Sequence, residues 1–162
     1  MLPGIRLFDL SGRSAIITGG SRGLGEAMAA GLASAGANIV ITSRDADAAA
    51  ASTRRIAADY GQGAIGLAAD VCNGEQVEST VEKALAEFGR IDILINNAGI
   101  NIRGPIDELD EEDFRRVQQT NVEGVWRCCK SLVPHFKQQG SGRIINVAST
   151  LGPSAVPWLG NR

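Results

Sequence analysis

The sequence predicts an α/β fold, a parallel β-sheet with helices wound over both faces. Three observations carry that prediction. Short apolar runs alternate with helix-length segments along the chain, the pattern of repeated β-α-β units. A glycine cluster, Gly19, Gly20, Gly23 and Gly25, stands where the first apolar run gives way to the first helix. The chain has 162 residues, 44% of them hydrophobic and 21% charged, which suits one ordinary globular domain with a real core.

Each element has its own signal. Residues 14–18, SAIIT, are an apolar run closed by glycine and read as a buried strand. Residues 23–35 read as a helix rich in Ala and Leu, ending near Gly36. NIVIT, 38–42, is a second strand, and Asp45 can cap an Ala-rich helix running to about Tyr60. AIGLAA, 64–69, is a third strand. Asn73 with Gln76 three residues on resembles a capping box. The helix behind it places Val77, Val81, Ala84, Leu85 and Phe88 on one face, and Gly89 can end it. IDILI, 91–95, is a fourth strand. Asp110 opens a long helix to about Gln139, with a kink or break expected at Pro134. RIINVAS, 143–149, is a fifth strand. We read residues 1–162 as a single domain.

Composition narrows the function classes. A net charge of −2 argues against a broad electrostatic grip on nucleic acid or an anionic membrane. Cys72, Cys128 and Cys129 have no metal-ligand spacing, and an odd count without a disulfide framework points to a reducing cytoplasm. His135 is the only histidine, so neither a His-based metal site nor a Ser-His-Asp triad is expected. The opening MLPGIRLFDL has no signal-peptide pattern, and the chain contains no transmembrane run. The acidic DELDEEDF, 107–114, is explained by a helix dipole rather than by a metal. Trp126 and Trp158 read as packing or loop residues, and 152–160 as an irregular tail over the site.

The glycine turn is the first feature with chemistry. A strand that hands over to a helix at such a turn offers unpaired N–H groups and a partial positive charge to an anion. Glycine lets a diphosphate come close to the backbone. Gly19, Gly23 and Gly25 give Gly-x-x-x-Gly-x-Gly, without a subsequent Gly-Lys-Ser/Thr, so this is no triphosphatase P-loop. A ligand-free strand-to-helix turn would show the same glycines.

Thr18-Gly19-Gly20-Ser21-Arg22-Gly23-Leu24-Gly25 resembles the cofactor turn of the short-chain dehydrogenase/reductase family. Asn96-Asn97-Ala98-Gly99 resembles that family's second signature, and Asp70-Val71 its adenine contact. The opening LFDLSGRSAIITGGSRGLG is similar to members acting on gluconate and to 3-oxoacyl reductases. The resemblance implies a Rossmann-type doubly wound parallel sheet, present here to about the fifth strand. It also implies a nicotinamide cofactor held by Thr18, Gly19, Ser21, Arg22, Gly23, Leu24, Gly25, Ser43, Arg44, Asp70, Val71, Asn97, Ala98 and Gly99. NADP is expected over NAD. Ser43 stands where members that prefer NAD carry an acid, and Arg44 can pair with a 2′-phosphate, as can Arg22.

The same resemblance implies a catalytic Asn, Ser, Tyr and Lys. Asn121 matches the Asn. From the residues alone, Phe114, Val117, Val125, Cys128 and Leu132 form an apolar stripe that Asn121 interrupts. Such a residue is either a core Asn bonded to backbone or a functional group, and the pattern does not separate them. Ser149, at the end of the fifth strand, matches the Ser. The family's Tyr-x-x-x-Lys is missing. Its Tyr would fall at Arg162, the only tyrosine is Tyr60, and Lys83, Lys130 and Lys137 all precede Ser149.

We therefore expect the amino-terminal part of an NADP-preferring alcohol/carbonyl oxidoreductase, catalytically incomplete by itself, self-associating through an uncovered fifth strand or forming a homo-oligomer. The alternative is a nucleotide-binding or regulatory remnant without chemistry. A methyltransferase is disfavoured by Asn96–Gly99.

Overall fold

The computed structural model describes residues 4–105 and 107–149. A 3-10 turn, Ile5–Phe8, precedes β1, Ser14–Thr18. Then come α1, Gly23–Ser34, β2, Asn38–Ser43, α2, Ala46–Tyr60, and β3, Ala64–Ala68. Next are α3, Gly74–Phe88, β4, Ile93–Asn96, α4, Glu111–Gln118, a π turn, Gln119–Glu123, α5, Gly124–Gln139, and β5, Arg143–Asn146. The strands form one parallel sheet in the order β3-β2-β1-β4-β5. The chain winds from β1 out to β3, then crosses back to place β4 on the other side of β1. That reversal opens a crevice at the carboxyl ends of β1 and β4, where open α/β sheets hold ligands.

Alternation along the strands explains their near-continuous apolar sequence. Ala15, Ile17, Ile39, Ile41, Ile93 and Ile95 point to one face, against Ala29 and Ala33 of α1 and Ala49 and Ile56 of α2. Ile16, Val40 and Leu94 point to the other, against Val77, Val81 and Ala84 of α3 and Cys128, Leu132 and Phe136 of α5. Over β1, β2 and β4 both faces are covered, so both sets must be apolar there. The small Ala side chains let α1 sit close to the sheet.

The caps form largely as predicted. Asp45 accepts from Ala48 N at 3.0 Å, and Asn73 from Gln76 N at 3.1 Å. The capping box is only half formed, because the Gln76 side chain passes Asn73 and reaches Asp70 N instead.

The long helix departs from expectation. Its interruption is the π turn, and Pro134 lies inside α5, which continues to Gln139. The extra residue of a π turn rotates the residues after it about the helix axis, so 114–117 and 125–132 do not share one stripe. Cys128 and Leu132 are core, whereas Phe114 is 61% exposed and α4 buries no residue. Asn121 is exposed rather than set in a buried stripe. β4 starts two residues later than predicted, and β5 ends at Asn146, although Val147 N still reaches Asn96 O at 2.9 Å. Among the described residues β5 is an edge, with Ile144, Ile145 and Val147 exposed. The expectations for 152–160, Trp158 and Arg162 fall outside the described residues.

Candidate functional site

Thr18 ends β1 and is buried. Its hydroxyl accepts from Asn97 N and Ala98 N, both at 3.0 Å, and donates to Ile95 O at 3.4 Å. The Asn97 carboxamide returns the tie, donating to Thr18 O at 3.0 Å and to Gly19 O at 3.1 Å. These bonds stitch the loop after β4 to the turn after β1. Both segments become one wall of the crevice.

The turn itself needs glycine for two different reasons. Gly19 and Gly23 have φ of +62° and +58°, a region that side chains disfavour. Gly25 is a matter of space. A Cβ there would lie 2.5 Å from Gly19 O and 2.6 Å from Asn97 Nδ2. The third glycine thus allows the start of α1 to touch the Asn97 loop.

The amino end of α1 differs from those of its neighbours. Asp45, Asn73 and Asp110 cap α2, α3 and α4 with side-chain oxygens, whereas Arg22 gives α1 no such bond. First-turn N–H groups of α1 therefore remain for water or a ligand. Beside them, Ser43 Oγ accepts from Ser21 Oγ at 3.1 Å and from Asp45 N at 3.2 Å. Both of its lone pairs are in use, which leaves its own O–H as a donor. Arg22 and Arg44 are exposed and have no ion-pair partner among the described residues.

A cleft of about 600 Å³ joins these features. Its walls hold Gly19, Ser21, Arg22, Gly23, Leu24 and Gly25 from the turn, Ser43 and Arg44 after β2, Asp70 and Val71 after β3, and Asn97, Ala98 and Gly99 after β4. Every cofactor residue expected from sequence lines it except Thr18, which lies behind the wall. The cleft also takes in Thr42, Asp45, Ala48, Ala69, Ile100 and Thr120, which sequence reasoning missed. All of these but Ala48 adjoin a predicted residue, and that adjacency was the available signal.

The two expected catalytic residues do not line the cleft. Asn121 sits in the π turn and holds the backbone of Ile100, accepting from its N–H and donating to its C=O, both at 2.9 Å. Its carboxamide thereby ties α4–α5 to the cleft wall. Ser149 lies three residues beyond β5, at the same carboxyl end of the sheet. Cys128 is no candidate nucleophile, since burial pushes its thiol up to about 12. Among the described residues, no group of three His, Cys, Asp or Glu side chains could hold a metal ion, and no helix is long and apolar enough to cross a membrane.

Residues 13–161 match the short chain dehydrogenase family, and the chain belongs to it. It is 36% identical to 3beta-hydroxysteroid dehydrogenase 1 of Eggerthella lenta, over 93% of this chain and 57% of that protein. It is 36% identical to gluconate 5-dehydrogenase of Gluconobacter oxydans, over 94% of this chain and 59% of that protein. A short-chain type dehydrogenase/reductase from Mycobacterium marinum superposes with a TM-score of 0.88 at 37% identity, covering 92% of this chain and 60% of that one. The chain thus spans about three-fifths of the length of these relatives.

Proposed function

We propose that the cleft at the carboxyl end of the sheet binds a nicotinamide dinucleotide, NADP in preference to NAD. The chain is then the cofactor-binding part, residues 1–162, of an oxidoreductase acting on a small alcohol or carbonyl compound. The observation that carries this reading is the uncapped start of α1, flanked by two arginines without ion-pair partners among the described residues. Those donors suit a diphosphate and a 2′-phosphate.

Such a cofactor, when bound, supplies hydride transfer. The chain's own groups then divide the remaining work. Gly19, Gly23, Leu24 and Gly25 bring backbone donors to the diphosphate, with Thr18 holding their wall in place. Ser43 donates its hydroxyl, and Arg22 and Arg44 their charge, to the 2′-phosphate. An acid at position 43 would instead repel it. Ser21 fixes Ser43, Asp70 and Val71 hold the adenine, and Asn97, Ala98 and Gly99 line the way to the reacting end. There Asn121 organises a proton path and Ser149 polarises a carbonyl.

No Tyr-x-x-x-Lys occurs within these 162 residues. We propose that they do not turn over substrate by themselves, for want of a proton donor. The related steroid and gluconate enzymes differ widely in substrate, so the chemistry assigned here stops at an alcohol/carbonyl pair. We place the protein in the cytoplasm and propose self-association through β5, whose apolar side chains and free edge among the described residues invite pairing.

Titration with NADPH and NADH, followed by cofactor fluorescence, tests the proposal. NADPH should bind more tightly, and Arg44→Asp should narrow or reverse the preference. Superimposable curves for the two cofactors before mutation would remove the charge argument.

A further inference from the structure

Gln76 has a role that capping does not explain. The amide of Asp70 donates to its Oε1 at 2.8 Å, six residues back along the chain. An N–H needs an acceptor, so the carboxamide orientation is settled: oxygen toward Asp70, NH2 away. Two further bonds fix Asp70. Cys72 N donates to its Oδ1 at 2.9 Å, and Asn73 N to its carbonyl at 2.9 Å. The residue is held through its N–H, its C=O and one carboxylate oxygen. Oδ2 has no partner among the described residues.

Asp70 stands at a junction. It lines the dinucleotide cleft and also an adjoining groove of about 520 Å³ that Gln76 lines with it. A carboxylate oxygen is an acceptor only. It suits the exocyclic amino group of a base and opposes a carbonyl in the same place.

We propose that Gln76 is the positioning residue that sets Asp70 to read the amino group of the cofactor's purine base. The inference rests on the dinucleotide reading of the cleft. Nothing else described on α3 makes this contact: Asn73 spends its side chain on the helix start, and Gln76 alone reaches past it. Without the Gln76 oxygen, the Asp70 peptide loses one of three restraints, and the carboxylate loses its fixed aim.

The test compares NADPH with its hypoxanthine analogue, in which a carbonyl replaces the amino group. The unmutated chain should bind NADPH about tenfold more tightly, the effect of one charge-assisted hydrogen bond. Gln76→Leu should bring the two affinities within about twofold by weakening NADPH alone. Gln76→Glu keeps an acceptor for Asp70 N and should restore the preference. A merely structural role would weaken both dinucleotides equally, so equal losses, or a tenfold preference retained in Gln76→Leu, would overturn the inference. Equal binding of both by the unmutated chain would also sink it while leaving the dinucleotide site standing. No binding of either would sink the dinucleotide reading and this inference with it. Should Gln76→Leu fail to fold, amide exchange in the unmutated chain decides. Asp70 N–H should exchange more slowly than Val71 N–H, which has no partner among the described residues, and equal rates contradict the restraint.

Discussion

The two ends of the sheet use similar residue types to opposite ends. At the amino end, Asp92 is nearly buried, with 7% of its side chain exposed. It accepts from Arg13 Nη1 at 2.7 Å, from Arg90 Nε at 2.9 Å and Nη2 at 2.6 Å, and from Ser14 N at 3.0 Å. Gln139, at the end of α5, donates to Ile91 O and Ser141 O beside it. One carboxylate thereby joins the starts of β1 and β4. At the carboxyl end, Arg22 and Arg44 have no such partner among the described residues, α1 lacks a side-chain cap, and glycines hold the backbone open. A charge with all its partners in the chain serves the fold. A charge left without one is available to a ligand. Partner inventory, more than residue type, separates the two.

Mutations sharpen that contrast, the largest effect first. Gly25→Ala forces a methyl group against backbone Gly19 O, which cannot retreat without moving the turn. We expect a loss of about 3 kcal/mol in stability by denaturant melts, together with loss of cofactor binding. A variant that melts and binds normally would show that the turn is looser than its geometry states.

Asp92→Asn comes next. Burial pushes the Asp92 carboxyl up, but hydrogen bonds from Arg90, Arg13 and Ser14 N outweigh it and hold it below the usual carboxylate range. A carboxylate with a lowered folded pKa stabilises above its unfolded value, about 3.9, and loses that contribution as pH falls through the folded value. Urea melts should therefore show the unmutated chain weakening below about pH 4, and Asp92→Asn should flatten that limb. At pH 7 the variant should lose about 2 kcal/mol, because the two arginines are half exposed and can rehydrate. Cofactor affinity should not change. A parallel loss of affinity would mean that the two ends are coupled.

Thr18→Val keeps the shape and removes the hydroxyl that holds the Asn97 and Ala98 amides. A cost of about 1–2 kcal/mol is expected, with a weakened cofactor titration that Thr18→Ser largely restores. The smallest effect belongs to Ile145→Lys on the exposed edge. Stability should stay within about 0.5 kcal/mol, while light scattering should report less self-association. Unchanged association would acquit β5.

Most of the fold is legible in the sequence, since apolar runs bounded by turn residues mark strands locally and capping residues mark helix starts. The glycine turn is legible for the same reason, its residues being contiguous. Asp92 is not. It reads as one acid in a strand, and its partner Arg13 lies 79 residues away. The reach of Gln76 to Asp70 resembles an ordinary capping box until the loop geometry is known. The π turn is hidden more deeply, because one extra residue changes the phase of a helix without changing its composition. That single residue takes Asn121 off the expected buried stripe, and its exposed carboxamide holds the Ile100 backbone.

Amide exchange, read residue by residue with and without saturating NADPH, separates the two ends of the sheet in a single experiment. New protection is expected at Gly19–Gly25, Asp70–Val71 and Asn97–Gly99, with the amides around Ser14 and Asp92 unchanged. Protection confined to the Asp92 end, or absent throughout, would contradict the dinucleotide reading of the cleft.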